Sequence, residues 1–249
     1  MRIERLAGIA RSLAIYHGLP WRARRLARLY APFVKAGALC FDLGAHAGNR
    51  VRCWRRLGAR VVAVEPQADF VRLLERLFGS DPAVTIVAAA VGRAEGTAEL
   101  LVSERTPTVT TLSREWIDRV GTDPSFRGVA WTRGPAVPVT TLDALVARFG
   151  LPAFVKIDVE GFELEALAGL TRPVPALSFE YLPAAREVAL GCIERLAGLA
   201  DYRFNWSIGE THRLVEAEWL DAAAMRARLA GLDARAGSGD VYARRAGAR

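Results

Sequence analysis

The chain has 249 residues, 51% hydrophobic and 24% charged, which reads as one soluble α/β domain with an appendage and enough sequence for a real core. Its net charge of +7 comes almost wholly from arginine, only Lys35 and Lys156 being lysines; such a balance permits anionic partners without demonstrating them. Three scattered cysteines, Cys40, Cys53 and Cys192, form no CxxC pair or Cys/His cluster, which excludes a disulfide framework or zinc site and points to the reducing cytoplasm.

No apolar run reaches membrane-spanning length, and Arg2, Glu4, Arg5 and Arg11 interrupt what would have to be the apolar core of a signal peptide. Residues 1–36 instead read as a helical extension of two helices joined near His17-Gly18-Leu19-Pro20. In the second, Leu26, Leu29, Tyr30 and Phe33 form an apolar stripe, with Arg22, Arg24, Arg25 and Arg28 largely elsewhere. Packing on the main domain or on a second subunit, as in a homo-oligomer, accounts for such a stripe. Peripheral contact with an anionic membrane is the sharper alternative.

The region 37–249 reads as the catalytic domain. From residue 38 strands and helices alternate: strand Ala38–Leu43, helix Arg50–Leu57, strand Arg60–Glu65, helix Asp69–Phe78, strand Ala83–Ala88. The strand runs are short, Val/Ile-rich and apolar on both faces, the pattern of parallel strands covered by helices on each side. Thr97–Val102 makes a short strand. Residues 103–135, punctuated by Pro107, Gly121, Asp123-Pro124, Gly128 and Gly134-Pro135, read as an excursion suited to a lid or substrate-recognition insert, with one helix at Ser113–Val120 and Trp116 as its anchor. Strand Val137–Thr140, helix Leu142–Phe149, strand Phe154–Asp158, helix Phe162–Leu170 and strand Ala176–Glu180 follow. A helix from Pro183 to about Leu199, strand Tyr202–Ile208, a helix near Glu218–Ala230 and a last strand Asp240–Ala243 close the chain, the last strand inserting antiparallel.

The stretch LCFDLGAHAGN, Leu39–Asn49, is a buried strand that breaks into a side-chain-poor turn at the start of a helix, where free backbone N–H groups meet a ligand. A dinucleotide fingerprint would need GxGxxG, yet His46 and Asn49 stand where its second and third glycines belong. The missing second glycine matters most, because it admits the pyrophosphate to the backbone. Asp42 would repel a pyrophosphate and welcome an ammonium group. S-adenosylmethionine has an ammonium, a ribose diol and a sulfonium, and no phosphate, so electrostatics favours it. Glu65, closing the second strand before Pro66, is placed to accept bonds from both ribose hydroxyls.

FDLGAHAGN, VVAVEPQ, AAAVG, VTTLDAL and FVKIDVEGFELEALAG, in this order over residues 38–182, resemble the FkbM-type family of class I S-adenosylmethionine-dependent methyltransferases. The resemblance implies a doubly wound, mostly parallel seven-stranded Rossmann-like sheet with an antiparallel last strand. It places Asp42, Gly44 and Gly48, with Ala45, His46 and Asn49 between and after them, on the cofactor loop. Glu65 and Pro66 fall at the ribose, and Ala88–Val91, Ala89 included, beside the adenine. Lys156, Asp158, Glu160 and Gly161 fall on the second signature. It also implies O-methylation of a hydroxyl on a sugar, glycolipid or secondary metabolite. In place of the relatives' polar or glycine-rich loop stands the Thr-rich Thr106–Ser113.

Asp158 could bind the cofactor ammonium, position a hydroxyl or ligate a divalent ion, for which the sequence offers no further support. Lys156 calls for an acidic partner if buried. Glu163 and Glu165 read as solvated. Candidate bases for a hydroxyl are Asp158, Glu180 and His212, such a base contributing about 10²–10⁴-fold. A nucleic-acid methyltransferase is disfavoured: there is no Asp/Asn-Pro-Pro-aromatic loop after the fourth strand, where Asp158-Val159-Glu160-Gly161 stands, and no Pro-Cys nucleophile. A non-catalytic, membrane-docked scaffold is disfavoured by Asp42, Gly44, Gly48 and Glu65 standing together.

Overall fold

The computed structural model describes residues 20–233 and 236–247; the first predicted N-terminal helix lies outside them. Helix α1 (Pro20–Tyr30) leads into strand β1 (Leu39–Leu43), α2 (Asn49–Arg56), β2 (Arg60–Val64), α3 (Ala68–Phe78) and β3 (Val84–Val87). The middle of the chain holds β4 (Ala90–Val91), β5 (Gly96–Val102), α4 (Arg114–Val120), β6 (Thr132–Thr140), α5 (Leu142–Phe149), β7 (Phe154–Ile157) and α6 (Glu163–Ala168). Strand β8 (Ala176–Tyr181), α7 (Arg186–Leu199), β9 (Tyr202–Ile208), α8 (Ala222–Ala230) and β10 (Gly239–Arg245) complete it.

Seven strands form the main sheet in the order β3-β2-β1-β7-β8-β10-β9, parallel except for β10, which runs antiparallel to both neighbours. Continuous apolar strands demand cover on both faces, and both are covered. On one face Phe41, Leu43, Val155, Ile157, Leu177 and Phe179 pack against α5, α6, α7 and α8. On the other, Cys40, Val61, Phe154 and Ala176 pack against α1, α2 and α3. The apolar stripe of α1 is used here: Leu26, Leu29 and Tyr30 are buried, and Tyr30 meets Trp54 and Phe154 edge-on at 5.2 Å between ring centroids. Such aromatic contacts contribute about 0.5–1.5 kcal/mol each beyond their area.

A second, three-stranded sheet in the order β4-β6-β5 is not evident from the periodicity. Strand β6 begins at Thr132 rather than Val137, so Gly134-Pro135, read as breakers, lie within it. They fall where the pairing with β5 shifts register between Glu99 and Leu101, and a bulge is where a sheet admits proline. Two helix starts also move. Pro183 opens a 3-10 turn, with α7 beginning at Arg186, and α8 begins after Asp221, whose carboxylate caps the Ala224 N–H at 2.8 Å.

Candidate active site

At the carboxyl ends of β1, β2, β7 and β8 the chain opens a cleft, the position where open α/β sheets bind ligands. Its floor is the turn after β1. Gly44 has φ 77°, and a Cβ on it would lie 1.8 Å from the Asp158 carbonyl oxygen, so only glycine lets the ends of β1 and β7 approach this closely. Gly48 has φ 74° and sits under Phe78 and Leu74, where a Cβ would come within 2.5 Å of the Phe78 ring. Between them His46 is also left-handed, at φ 48°.

Glu65 is 2% exposed. Its two carboxylate oxygens accept from the His46 and Gln67 backbone N–H groups, each at 2.9 Å, which fixes the carboxylate at the end of β2. Ala89, Ala90 and Val91 line the adjoining wall with Thr108, Thr110 and Thr111, and Gln67 donates to the Pro107 carbonyl at 3.2 Å, tying the insert to this side.

The opposite wall is acidic. Asp158, Glu160, Glu180, Glu210 and Asp240 all border the cleft. Register explains part of this: Asp42, Lys156, Ser178 and Tyr242 pair in one row across β1, β7, β8 and β10, and Glu180 pairs with Asp240 two residues further along β8. Lys156, fully buried, lies 2.7 Å from Asp240 and 3.3 Å from Asp158; these carboxylates keep it protonated although burial alone opposes the charge. Arg50, from the first turn of α2, reaches Asp158 at 3.4 Å and Asp240 at 3.8 Å.

The loop carrying Asp158 and Glu160 is pinned from two sides. Glu163 Oε1 accepts from the Val159 and Gly161 N–H groups at 3.0 and 3.2 Å, while Thr111 of the insert donates to the Glu160 carbonyl at 2.6 Å. Trp116 covers Gly161, where a Cβ would meet the indole at 2.1 Å, and itself packs edge-on against Phe126 and Trp131. So held, Glu160 adopts φ 54°, a left-handed conformation uncommon outside glycine.

A family model for the methyltransferase FkbM domain matches residues 42–228. The chain belongs to the FkbM methyltransferase family. S-adenosylmethionine is therefore its cofactor and methyl transfer its chemistry. No curated protein matches the chain. Among solved structures, a TehB-like SAM-dependent methyltransferase from Corynebacterium glutamicum ATCC 13032 Kitasato is similar in fold, with 12% identity, 97% of each chain covered and a TM-score of 0.50. Also similar are a precorrin-6y C5,15-methyltransferase from Geobacter metallireducens GS-15 (12% identity, 90% and 87% coverage, TM-score 0.47) and a putative O-methyltransferase from Klebsiella pneumoniae (11% identity, 95% and 89% coverage, TM-score 0.47).

The cleft fits this cofactor. Glu65 presents a fixed carboxylate, and acidic walls suit a ligand bearing sulfonium and ammonium charges. Of the residues expected at the cofactor, Gly44, Ala45, His46, Asn49, Glu65, Pro66, Ala89 and Asp158 line the cleft of this FkbM protein. Gly48 and Asp42 do not. Gly48 turns the chain into α2 beneath the wall. Asp42 is 1% exposed, one layer down; burial pushes its pKa up to about 6 despite Arg50 and Lys156.

Of the three candidate bases, Asp158 and Glu180 border the cleft, and His212 stands behind Glu210, 3.2 Å from its Oε2. That contact draws the Glu210 pKa down to about 2. Glu163, expected in solvent, is 2% exposed because its carboxylate serves the loop's backbone; burial raises its pKa to about 7. Glu165 pairs with Arg93 at the surface.

Arg50, Glu210 and Asp240 escaped the sequence reading. Arg50 carried one usable signal, a cation in the first turn of a helix, where the dipole disfavours it unless acids lie nearby. Asp158, Glu160 and Glu180 each bring a carboxylate oxygen within 4.8 Å of the others, a set able to hold a divalent ion. Lys156 and Arg50 supply countercharge to Asp158.

Proposed function

We propose that this FkbM protein methylates a hydroxyl oxygen of a small acceptor: a sugar, a glycolipid or a hydroxylated secondary metabolite. One observation carries the reading, the convergence of Asp158, Glu160 and Glu180 beside the cofactor turn. Carboxylates bind hydroxyl groups and take their protons, whereas a phosphodiester chain brought to this wall would meet repulsion.

When bound, S-adenosylmethionine supplies a methyl group on a positively charged sulfur, a good leaving centre. The chain's work is then to orient and to accept a proton. Gly44, Ala45 and Asn49 would bring backbone to the cofactor, Glu65 would accept from the ribose hydroxyls, and Ala89 would stand on the adenine side. Asp158, fixed by Lys156 and Arg50, accepts a hydrogen bond from the cofactor ammonium or the acceptor. Glu180 faces the acceptor. His212 acts through Glu210 rather than on the acceptor itself. The 103–135 insert, attached to Gln67 and Glu160, shapes the acceptor entrance. With all three cysteines free and buried, the cytoplasm remains the expected compartment.

Calorimetric titration with S-adenosylmethionine, followed by a screen of hydroxylated sugars and glycolipids with the labelled cofactor, tests this. Glu65→Ala is expected to weaken cofactor binding at least about tenfold, the equivalent of about 1.4 kcal/mol. An unchanged constant refutes the ribose role, and labelling of nucleic acid rather than hydroxylated small molecules refutes the acceptor class.

A further inference from the structure

Positive charge is spread unevenly over the molecule. Between Pro20 and Arg60 the chain carries a single acid, Asp42, and that one is buried. Helices α1 and α2 lie side by side over one face of the sheet, joined by Tyr30 against Trp54 and by a shared core with Leu26, Leu29, Val51 and Cys53. Each turns its apolar side down and its cations outward. Arg24, Arg25 and Arg28 of α1 are exposed; on α2, Arg56 is exposed and Arg52 half-buried. The loop after α1 extends this surface. Its Gly37 N–H donates to the Gly58 carbonyl at 2.8 Å, and the Arg60 N–H to the Ala38 carbonyl at 2.7 Å, which brings the exposed Lys35 and Arg60 to the end of α2.

Among the described residues none of these cations has an acidic partner. Ion pairs begin only at the border, where Arg55 meets Asp81 and, on α3, Arg72 meets Asp69. On the other face of the sheet the arginines of α7 stand among exposed acids, Glu187 and Glu194. Like charges this dense repel one another, and an external anionic surface relieves that repulsion.

We propose that the α1–α2 face docks the protein on an anionic phospholipid bilayer, by charge alone. The apolar stripe of α1 is taken up by the sheet, so the helix has no apolar side left to insert among acyl chains. Between the cations the outward residues are small, Ala27, Pro32, Ala36 and Gly58 among them. Nucleic acid is gripped through stacked aromatics and through hydroxyl and amide side chains as well as cations. Residues 20–60 contain no serine, threonine or glutamine, and their one asparagine, Asn49, lines the cleft. A smeared headgroup charge asks only for cations. Arg60 opens β2 at its amino end, whereas the cleft lies at the carboxyl ends of the strands, so docking leaves the cleft uncovered. The docking face is independent of the methyl-transfer reading.

Flotation of the full chain with vesicles of phosphatidylcholine alone, or of phosphatidylcholine and phosphatidylglycerol in equal parts, tests this. Binding is expected only to the anionic vesicles, with release at about 1 M salt, where the Debye length is about 3 Å. The combined variant Arg24→Gln, Arg25→Gln, Arg28→Gln should weaken binding about 10²-fold, each cation at such a surface contributing about fivefold. Circular dichroism checks that it is folded. The pair Arg56→Gln, Arg60→Gln asks the same question from α2 and should cost at least about tenfold. No binding to anionic vesicles, equal binding to phosphatidylcholine, or undiminished binding by both variants overturns the proposal. Tighter retention on duplex DNA or RNA than on anionic vesicles, weakened in the same variants, assigns the face to nucleic acid and overturns the bilayer. Failure of the native protein to bind S-adenosylmethionine would refute the methyltransferase reading and leave the docking result standing.

Discussion

The two walls of the cleft are made by different physics. The wall at the ends of β1 and β2 is backbone: a glycine turn that admits a neighbouring carbonyl, and Glu65 fixed by two main-chain N–H groups. The facing, acidic wall is side chain: acids from the flanks of β7, β8, β9 and β10, with the buried Lys156 and the half-buried Arg50 as their cations and a loop clamped by Glu163 and Thr111. Close backbone approach tolerates no added atom but is indifferent to pH. Converging charge tolerates some change of shape but depends on every proton and countercharge.

Four experiments bear on that contrast. The largest effect is expected for Gly44→Ala, whose Cβ would sit 1.8 Å from the Asp158 carbonyl oxygen at a φ of 77°; cofactor binding by calorimetry should fall below detection. Wild-type affinity would mean the turn is not a close-packed cradle. Next, Lys156→Met leaves Asp158 and Asp240 short of a buried cation and should cost about 3–5 kcal/mol by urea denaturation. A loss under about 1 kcal/mol would show the acidic wall is not held by charge.

Stability should also follow pH. Asp42 and Glu163 have folded pKa values of about 6 and about 7, both raised above their unfolded values of 3.8 and 4.5. The folded protein thus holds more protons between about pH 4 and 7, and its stability falls as pH rises through that window, at about 1.4 kcal/mol per pKa unit. Glu210, lowered to about 2, works the other way and loses its contribution below its unfolded value of 4.5. Urea midpoints should therefore be higher near pH 5 than at pH 8; a flat profile would mean these carboxyls titrate as if exposed. The smallest effect is expected for Glu163→Gln, which keeps the accepting oxygen for Val159 and Gly161 and should stay within about 1 kcal/mol of wild type. Glu163→Ala, leaving those N–H groups without their partner, should cost about 1–3 kcal/mol. Equal losses in both would show that the charge, not the two hydrogen bonds, is what the loop needs.

The turn after β1 and the carboxylate at the end of β2 were legible in advance because their elements are near neighbours in sequence. Gly44, Gly48 and Glu65 lie within two strands and a turn, and their residue types state their backbone demands. Glu163 was misread as solvated because helix position alone cannot tell that its carboxylate turns back onto Val159 and Gly161. The pairing of Asp240 with Lys156 and Arg50 could not be read from spacing, since the contacts join β7 and the first helix after β1 to the last strand of the chain.

Local patterning alone therefore determined the α/β class, the antiparallel last strand and the side-chain-poor turn after the first strand, which follow from short-range periodicity and from glycine's backbone freedom; the family was read from the resemblance of its motifs. Only the tertiary structure decided that β4, β5 and β6 form a second sheet, that Asp42 lies beneath the cleft, and that Glu160 meets Glu180. Each of those depends on register between distant strands and on burial, which set the electrostatics of a carboxylate and are written in no single stretch of chain.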